Sequence, residues 1–273
     1  MAPEAEDMDG IVVADSVTKL GPECRGRVVI AGSHGGVYAA YLACAAGVRG
    51  VVLNDAGRGR DDAGVSGGAY CQALGIPYAA IETRSARIGD GADMAARGVV
   101  GFVNEAAERL GVSAGMACLE AARAMRAAPL STKTPPPYPE ARKELPGRPG
   151  ERRIVLVDSV SLVSAEDVGR IVVTGSHGGV LGRDDRTALK VDAFAALFND
   201  AGGGADDAGL TRLAPLDRRG IAACTVAAMS ARIGDGASTY EDGVISHANE
   251  RARALGAEIG MAARTWVDRV AKR

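Results

Sequence analysis

The chain of 273 residues is 47% apolar and 24% charged, with a formal net charge of −2, which is ordinary for a globular protein with a sizeable core. This charge balance excludes a strongly basic surface, and no run of about 18 apolar residues occurs, so we expect neither a nucleic-acid partner nor a membrane partner. Five widely spaced cysteines without a CxxC pair are expected to be buried, reduced thiols. Together with an N-terminus that lacks a signal-peptide pattern, they predict a cytoplasmic protein.

In chain order, the first 126 residues alternate short β-branched runs with helical stretches. The predicted strands are Ile11–Val17, Arg27–Ala31, Gly50–Asn54 and Pro77–Glu82. The predicted helices cover Val37–Ala46, Ala63–Leu74 and Ala92–Leu110, and a last apolar stretch runs over Ala114–Met125. Because the strands are apolar throughout and alternate with helices, this pattern predicts a mainly parallel sheet buried between two layers of helices.

The second half of the chain repeats the first. GRVVIAGSHGGV (26–37) matches GRIVVTGSHGGV (169–180), LNDAGRGRDDAG (53–64) matches FNDAGGGADDAG (198–209), and SARIGDG occurs at 85–91 and at 230–236. The offset is 143 residues up to the histidine motif and 145 after it, so the second copy gains two residues in between. We therefore predict an α/β protein of two tandem-duplicated three-layer α/β/α units, related by a pseudo-twofold axis.

A proline-rich segment separates the two copies. Residues 127–152 contain seven prolines among charged residues, which predicts an extended, semi-rigid connector and not a packed element. The predicted domains are thus a first repeat over 1–126, the connector over 127–152 and a second repeat over 153–273. A further assembly into a homo-oligomer stays open.

The repeated polar motifs all follow predicted strands, where open parallel sheets bind their ligands. In GSHGG, His34 and His177 are candidate catalytic bases or metal ligands with a pKa near neutrality, and the structural alternative is a tight turn with a capping histidine. The glycines let the chain turn sharply and let backbone N–H groups approach an anion. The candidates for substrate binding in this motif are Ser33, Ser176, Gly35 and Gly178.

The NDAG motif supplies carboxylates. Asp55 and Asp200 end their strands and are candidate catalytic groups that orient the nearby histidine, act as a base or bind a cation. One aspartate of each following pair is expected to cap a helix. The remaining candidates in this motif are the catalytic Asp62 and Asp207 and the substrate-binding Asn54 and Asn199.

The SARIGDG motif places a fixed cation beside a carboxylate. Arg87 and Arg232 suit the bidentate capture of a substrate carboxylate or phosphate, and the structural alternative is a salt bridge to the aspartate three residues on. The substrate-binding candidates in this motif are Ser85, Ser230, Arg87, Arg232, Asp90 and Asp235.

These motifs favour an enzyme that acts on a small anionic metabolite. Hydrolysis of a C–N or C–O bond, such as that of a cyclic amide, is the leading reaction. The alternatives are a racemase, isomerase or lyase with its site between the two halves, or a non-catalytic nucleotide- or effector-binding module, although GSHGG matches neither GxGxxG nor GxxxxGK[ST]. No cofactor is indicated with certainty; a divalent metal stays open, without HxH or HExxH spacing to indicate zinc. The sequence leaves open whether there is one composite site or two.

Overall fold

A computed structural model describes residues 10–147 and 149–273 of the chain. These residues form two mostly parallel β-sheets, one in each half, and confirm the predicted mixed α/β fold. Residues 1–9, the start of the predicted first repeat, lie outside the described residues.

The first sheet has five strands in the same order in space as in the chain. Its strands are β1 (Ile11–Ala14), β2 (Val28–His34), β3 (Gly50–Asn54), β4 (Tyr78–Ile81) and β5 (Val100–Val103). The first four are parallel, and β5 runs antiparallel to β4 at one edge. The three central strands are buried on both faces and consist mostly of apolar residues, whereas β1 and β5 at the edges are partly exposed.

Helices cover both faces of the first sheet. They are α1 (Val37–Ala45), α2 (Gly67–Leu74), α3 (Gly91–Arg97), α4 (Glu105–Glu108) and α5 (Cys118–Met125). The core on one face contains residues of α1 and α2, and the core on the other contains residues of α3 and α5. This half therefore has the predicted three layers.

The second sheet has six strands in the order β11-β10-β9-β8-β7-β6. They are β6 (Arg142–Glu144), β7 (Ile154–Val157), β8 (Ile171–His177), β9 (Ala195–Asn199), β10 (Ala222–Val226) and β11 (Ile245–Ala248). The helices are α6 (Leu213–Arg218), α7 (Gly236–Glu241), α8 (Glu250–Ala254) and α9 (Ala263–Val270). The two edge strands, β6 and β11, are antiparallel to their neighbours.

The two halves differ after the histidine motif. The first half continues into α1, whereas residues 180–194 of the second half contain only a short 3₁₀ turn at Asp185–Thr187. Gly182 and Arg183 take left-handed conformations, with φ of 57° and 59°, which end any continuing helix. This irregular segment and α6 together cover the sheet face that α1 and α2 cover in the first half.

Two predicted elements are wrong. The long helix over Ala92–Leu110 is instead α3, β5 and α4, because Gly98 leaves the helical conformation and the β-branched residues that follow pair with β4. Part of the connector is packed, contrary to the prediction. Arg142–Glu144 forms strand β6, which pairs with β7 at the edge of the second sheet.

All five cysteines are buried free thiols, as predicted. No helix within the described residues combines the length and the apolar character needed to cross a membrane.

The carboxyl-end loops of the two halves pack against each other. A Cβ on Gly57 would lie 3.1 Å from the Cα of Gly202, so the two backbones meet almost directly. Two hydrogen bonds between equivalent positions of the two copies also join these loops. The N–H of Arg60 donates to the carbonyl of Ala228 at 2.9 Å, and the N–H of Ala205 donates to the carbonyl of Thr83 at 2.8 Å. Reciprocal contacts accord with the twofold relation inferred from the repeats, which itself stays a prediction.

Candidate functional site

A cavity of about 430 Å³ lies between the two halves and is lined by both histidines of the GSHGG motifs. Ser33 and Ser176 also line it. The two motifs therefore face one shared space. A second cavity of about 280 Å³ adjoins the first, and His34, Tyr38 and Gly234 line both.

The histidines end strands β2 and β8, and the backbone fixes their tautomer. Nδ1 of His34 accepts the N–H of Gly36 at 3.2 Å, and Nδ1 of His177 accepts the N–H of Gly179 at 3.1 Å. A neutral imidazole that accepts at Nδ1 carries its proton on Nε2. Each imidazole is therefore arranged as a hydrogen-bond donor through Nε2.

The expectation of a histidine pKa near neutrality is wrong. Burial lowers the pKa of His34 to about 4. Burial, followed by the positive charge of Arg212 and the neighbouring His34, lowers the pKa of His177 well below its ordinary value. Both imidazoles are consequently neutral at physiological pH.

Each imidazole also packs on the SARIGDG loop of the opposite half. A Cβ on Gly234 would lie 3.3 Å from Cε1 of His34, and a Cβ on Gly89 would lie 3.4 Å from Cε1 of His177. Around His177, the N–H of Gly182 additionally donates to the carbonyl of Gly89 at 2.8 Å. This extra packing leaves His177 buried, whereas His34 is half-buried.

The motif serines hold the loops that follow β1 and β7. Oγ of Ser33 accepts the N–H of Val17 at 3.0 Å, and Oγ of Ser176 accepts the N–H of Val160 at 2.9 Å. These bonds fix two walls of the cavity.

The motif glycines are required for close packing. A Cβ on Gly35 would overlap the Tyr78 hydroxyl, and one on Gly178 would overlap the carbonyl of Gly209. The N–H groups of Gly35 and Gly178 donate at 2.7 Å to the carbonyls of Asn54 and Asn199. These two amides are therefore used within the fold, contrary to the expectation that they approach an anion.

The strand-end aspartates and asparagines bind backbone groups of their own loops. Oδ1 of Asp55 accepts the N–H groups of Gly57 at 2.8 Å and Thr83 at 2.9 Å. Oδ1 of Asp200 accepts two N–H groups at 2.9 Å in the same way. Neither carboxylate hydrogen-bonds to an imidazole within the part of the chain described. The predicted orientation of the histidines by these aspartates is therefore not observed.

Burial raises the pKa of Asp55. The neighbouring amides of Asn54 and Asn199 are completely buried. Their Oδ1 atoms accept the N–H groups of Ala56 and Ala201 at 2.9 Å, and their Nδ2 atoms donate to carbonyls of the SARIGDG loops. These bonds account for the repeated Asn-Asp pair as a brace between adjacent loops.

The acidic pairs do not cap helices, so that expectation is wrong. Asp61 and Asp62 take left-handed φ of 56° and 51°, and Asp206 and Asp207 take 54° and 53°. The helices that follow begin later, at Gly67 and Leu213. Asp62 and Asp207, the catalytic candidates, are exposed and lie outside the shared cavity.

The first aspartate of each pair joins the halves through an arginine of the SARIGDG motif. Asp61 lies 3.2 Å from Nη1 of Arg232, and Asp206 lies 3.2 Å from Nη1 of Arg87. The predicted salt bridge within the motif forms only in the second half, where Arg232 also pairs with Asp235 at 3.2 Å.

The other candidates of this motif support its loop. Asp90 and Asp235 cap α3 and α7 by accepting the N–H of the residue three positions on, at 2.9 and 2.8 Å. Asp90 also pairs with Arg183 at 2.9 Å. Hydroxyls of Ser85 and Ser230 each donate to a nearby carbonyl at 2.7 Å and accept a backbone N–H at 2.9 Å.

Sequence reasoning missed Arg212, a buried cation at the wall of the shared cavity. Its side chain is 1% exposed. Nε donates to the carbonyl of His177 at 3.2 Å, Nη1 donates to the carbonyls of Thr187 and Ala188, and the guanidinium lies 5.2 Å from the centre of the Phe198 ring.

No carboxylate of the described residues lies within ion-pairing distance of Arg212. Burial lowers its pKa to about 10, so it remains charged at neutral pH. Arg212 stands where the first copy has Gly67, and this difference between the copies is the signal that could have found it.

Sequence reasoning also missed Glu140, which the proline-rich connector contributes to the cavity wall. Oε1 of Glu140 is buried and has no hydrogen-bond partner among the described residues, whereas Oε2 lies 3.5 Å from Oγ of Ser161. Burial raises the pKa of this carboxyl. A single acidic residue in a connector has no periodic context, so the sequence offered no signal for it.

The rest of the cavity wall is mixed in charge. Lys19, Lys190 and Arg186 lie toward the exposed side, where Lys190 donates to the carbonyl of Ser161 at 2.7 Å and Arg186 pairs with Asp184 at 2.9 Å. Asp158 accepts two backbone N–H groups at 2.7 and 3.1 Å.

Metal ligands are not clustered in the described part of the chain. No group of three or more His, Cys, Asp or Glu side chains there is placed to hold a metal ion. The imidazoles, with Nδ1 bonded to backbone N–H, have only a protonated nitrogen left. The divalent metal considered from the sequence therefore has no preformed ligand set among these residues.

Comparison of the chain with protein-family models, with curated proteins and with solved structures finds no match.

Proposed function

We propose that this protein is an enzyme that binds a small anionic metabolite in the shared cavity and hydrolyses a C–N or C–O bond next to a carbonyl group, such as that of a cyclic amide. The observation that carries the proposal is Arg212, a buried guanidinium with carbonyl partners but no carboxylate in the described residues. A buried cation without a counter-charge is costly to fold. A ligand carboxylate or phosphate supplies that charge and fits the guanidinium fork.

The two imidazoles supply the electrophilic part of the site. Both are neutral and present a protonated Nε2 from loops that line the same cavity. Fixed donors of this kind stabilise negative charge that develops on a carbonyl oxygen. In the proposed reaction, a water oxygen bonds to the carbonyl carbon, the oxyanion is held by an imidazole, and the bond to the leaving nitrogen or oxygen then breaks.

A second candidate is an isomerase, racemase or lyase. It is favoured by the position of the cavity between the two halves, where a carboxylate (Glu140) and the donor imidazoles come from different segments. The same donors stabilise an enolate formed by proton removal beside a carbonyl. Incorporation of ¹⁸O from labelled water into the product indicates hydrolysis, whereas exchange of substrate hydrogen with D₂O indicates the second candidate.

Binding is tested first, with inorganic phosphate, malonate and 5-oxoproline as probes. At least one probe is expected to raise the melting temperature of the wild-type protein, and Arg212→Gln is expected to weaken its affinity at least tenfold. Arg218→Gln is the matched control, because Arg218 ends the helix α6 that begins directly after Arg212, but is exposed and pairs with Asp185. Equal affinity of Arg212→Gln and wild type, with unchanged circular dichroism, contradicts the proposed anion site.

Turnover is tested with carboxylate-bearing cyclic amides and esters, with products identified by mass spectrometry. Binding that depends on Arg212, without turnover of any of these compounds, supports an effector-binding module instead.

A further inference from the structure

The connector between the two halves is fixed on both sides of Glu140. Before Glu140, the Tyr70 hydroxyl donates to the carbonyl of Pro136 at 2.6 Å, and Lys133 donates to the carbonyl of Ala73 at 2.7 Å. After Glu140, the N–H of Ala141 donates to Asp158 at 2.7 Å, and β6 joins the second sheet. Glu140 is therefore held in the cavity wall by both halves.

The groups around this carboxylate leave it without a cationic partner. Tyr38 faces it from α1, and Asp158, Ser159 and Ser161 face it from the end of β7 and the turn that follows. Lys190, in the irregular segment after β8, donates to the carbonyl of Ser161. No ion pair to Glu140 forms among the residues the structure describes.

We propose that Glu140 is the group that transfers the proton in the shared cavity. This inference rests on the proposed hydrolysis. The Glu140 carboxylate takes a proton from the attacking water as its oxygen bonds to the carbonyl carbon. Glu140 then returns that proton to the leaving nitrogen or oxygen as its bond to carbon breaks, so that the carboxylate is regenerated and one water is consumed.

Three features suit Glu140 to this role. Its Oε1 is a buried acceptor without a hydrogen-bond partner among the described residues, and such an acceptor is satisfied by a proton, by a water molecule or by a donor from a ligand. The imidazoles are already protonated at Nε2 and are engaged at Nδ1, so they cannot accept the proton. Burial also raises the pKa of Glu140 toward the range in which a base works best near neutral pH.

The position of Tyr38 adds to the environment of Glu140. Burial, with a smaller contribution from the Glu140 carboxylate, raises the pKa of Tyr38 to about 12. Its hydroxyl therefore stays protonated beside the Glu140 carboxylate.

The test compares Glu140→Gln with Glu144→Gln on the compound that the wild type turns over fastest. Glu144 lies on the same connector but pairs with Arg170 at the edge of the second sheet. Glu140→Gln is expected to lower kcat at least 100-fold, the scale of general acid–base catalysis, to keep the affinity for the anionic probe within threefold, and to lose the acidic limb of the kcat–pH profile. Glu144→Gln is expected to change none of these.

The possible outcomes separate this inference from the proposed function. A kcat within threefold of wild type in Glu140→Gln, or an acidic limb that persists, overturns the role of Glu140 while the loss of binding in Arg212→Gln still supports the anion site. Absence of turnover in the wild type overturns both the hydrolysis and the proton transfer. ¹³C NMR titration of the Glu140 carboxyl provides a readout without turnover: a pKa at or below the ordinary value of glutamate contradicts the inference.

Discussion

At the scale of single residues, a residue that is identical in the two copies does not necessarily contribute its side chain to the cavity. The repeated asparagines and strand-end aspartates bind backbone N–H and carbonyl groups of their own loops. The charges that distinguish the cavity come from Arg212 and Glu140, which have no equivalent in the other copy. The repeated residues thus maintain the geometry of the loops, whereas Arg212 and Glu140 each occur only once.

The neutral state of His34 makes the stability of the fold depend on pH. In the unfolded chain this imidazole binds a proton below its ordinary pKa of about 6.5. In the folded protein it binds a proton only below a pKa of about 4. The unfolded state therefore binds more protons in this window, and the free energy of unfolding falls as the pH drops through it. Between pH 7.5 and 4.5 this contribution is on the order of 2 kcal/mol.

His34→Gln removes this contribution. The difference in unfolding free energy between wild type and His34→Gln, measured by urea titration at several pH values, is expected to shrink by that amount as the pH falls from 7.5 to 4.5. His247→Gln is the control, because His247 is an exposed residue of β11. A difference that stays constant over this pH range contradicts the neutral state of His34 in the folded protein.

At the scale of elements, the loops that follow β3 and β9 contain an unusual number of left-handed residues. Arg58 has φ of 58°, and the second copy has Gly203 in its place, with φ of 77°. A side chain in this region costs about 1 kcal/mol relative to glycine. A Cβ on Gly203 meets no atom within 4 Å, so replacement there isolates the cost of the backbone conformation.

Gly203→Ala is therefore expected to lower the free energy of unfolding by about 1 kcal/mol. Arg58→Gly is expected to change it in the opposite direction by about half as much, since the contact of Arg58 with Phe102 is lost. Gly147→Ala serves as a control, because Gly147 has open space and no positive φ. Equal unfolding midpoints in urea for Gly203→Ala and Gly147→Ala would rule out this strain.

Several elements of the fold can be predicted from the sequence, and others cannot. The strands β2, β3, β8 and β9 follow from continuous apolar runs, and the edge where the polar motifs meet follows from their position after those strands. The prediction of one helix over Ala92–Leu110 is wrong because short apolar runs between glycines are compatible with a strand as well as with a helix. The repeat also predicts a helix equivalent to α1 in the second half, which is not observed. The two inserted residues do not reveal the conformation of the segment that contains them.

The site was predictable only in part, for a physical reason. A histidine between glycines at a strand end marks the edge of the cavity, and both histidines do line it. Whether an imidazole is neutral, however, depends on burial by the other half, which a sequence does not show. Glu140 becomes apparent only in the folded structure, and the sequence marks Arg212 only by its difference from Gly67 of the first copy.

At the scale of the whole molecule, the cavity exists only when the two halves are packed together. Each imidazole contacts a glycine of the opposite half, and ion pairs from Asp61 to Arg232 and from Asp206 to Arg87 cross the same boundary. Both ion pairs are partly exposed, and each contributes little to stability. Backbone hydrogen bonds, the contact between Gly57 and Gly202, and a small apolar cluster with residues of both halves, among them Ile88 and Ile233, also join the halves.

We expect this boundary to make the two halves unfold together. Trp266, the only tryptophan of the chain, is fully buried in the second half, on α9, so its fluorescence reports on that half alone. Leu74→Ala removes a buried side chain from α2 in the first half and is expected to cost about 2–5 kcal/mol. If unfolding is cooperative, the Trp266 fluorescence transition in urea moves to lower concentration by as much as the circular dichroism transition does.

Leu216→Ala, a similar change in the second-half core, calibrates the shift. A Trp266 transition that is unmoved by Leu74→Ala but moved by Leu216→Ala would show that the halves unfold independently. A cavity built from both halves would then open without global unfolding, and ligand binding would protect the boundary more than either core. Coincident transitions instead mean that any ligand held by Arg212 stabilises both halves at once.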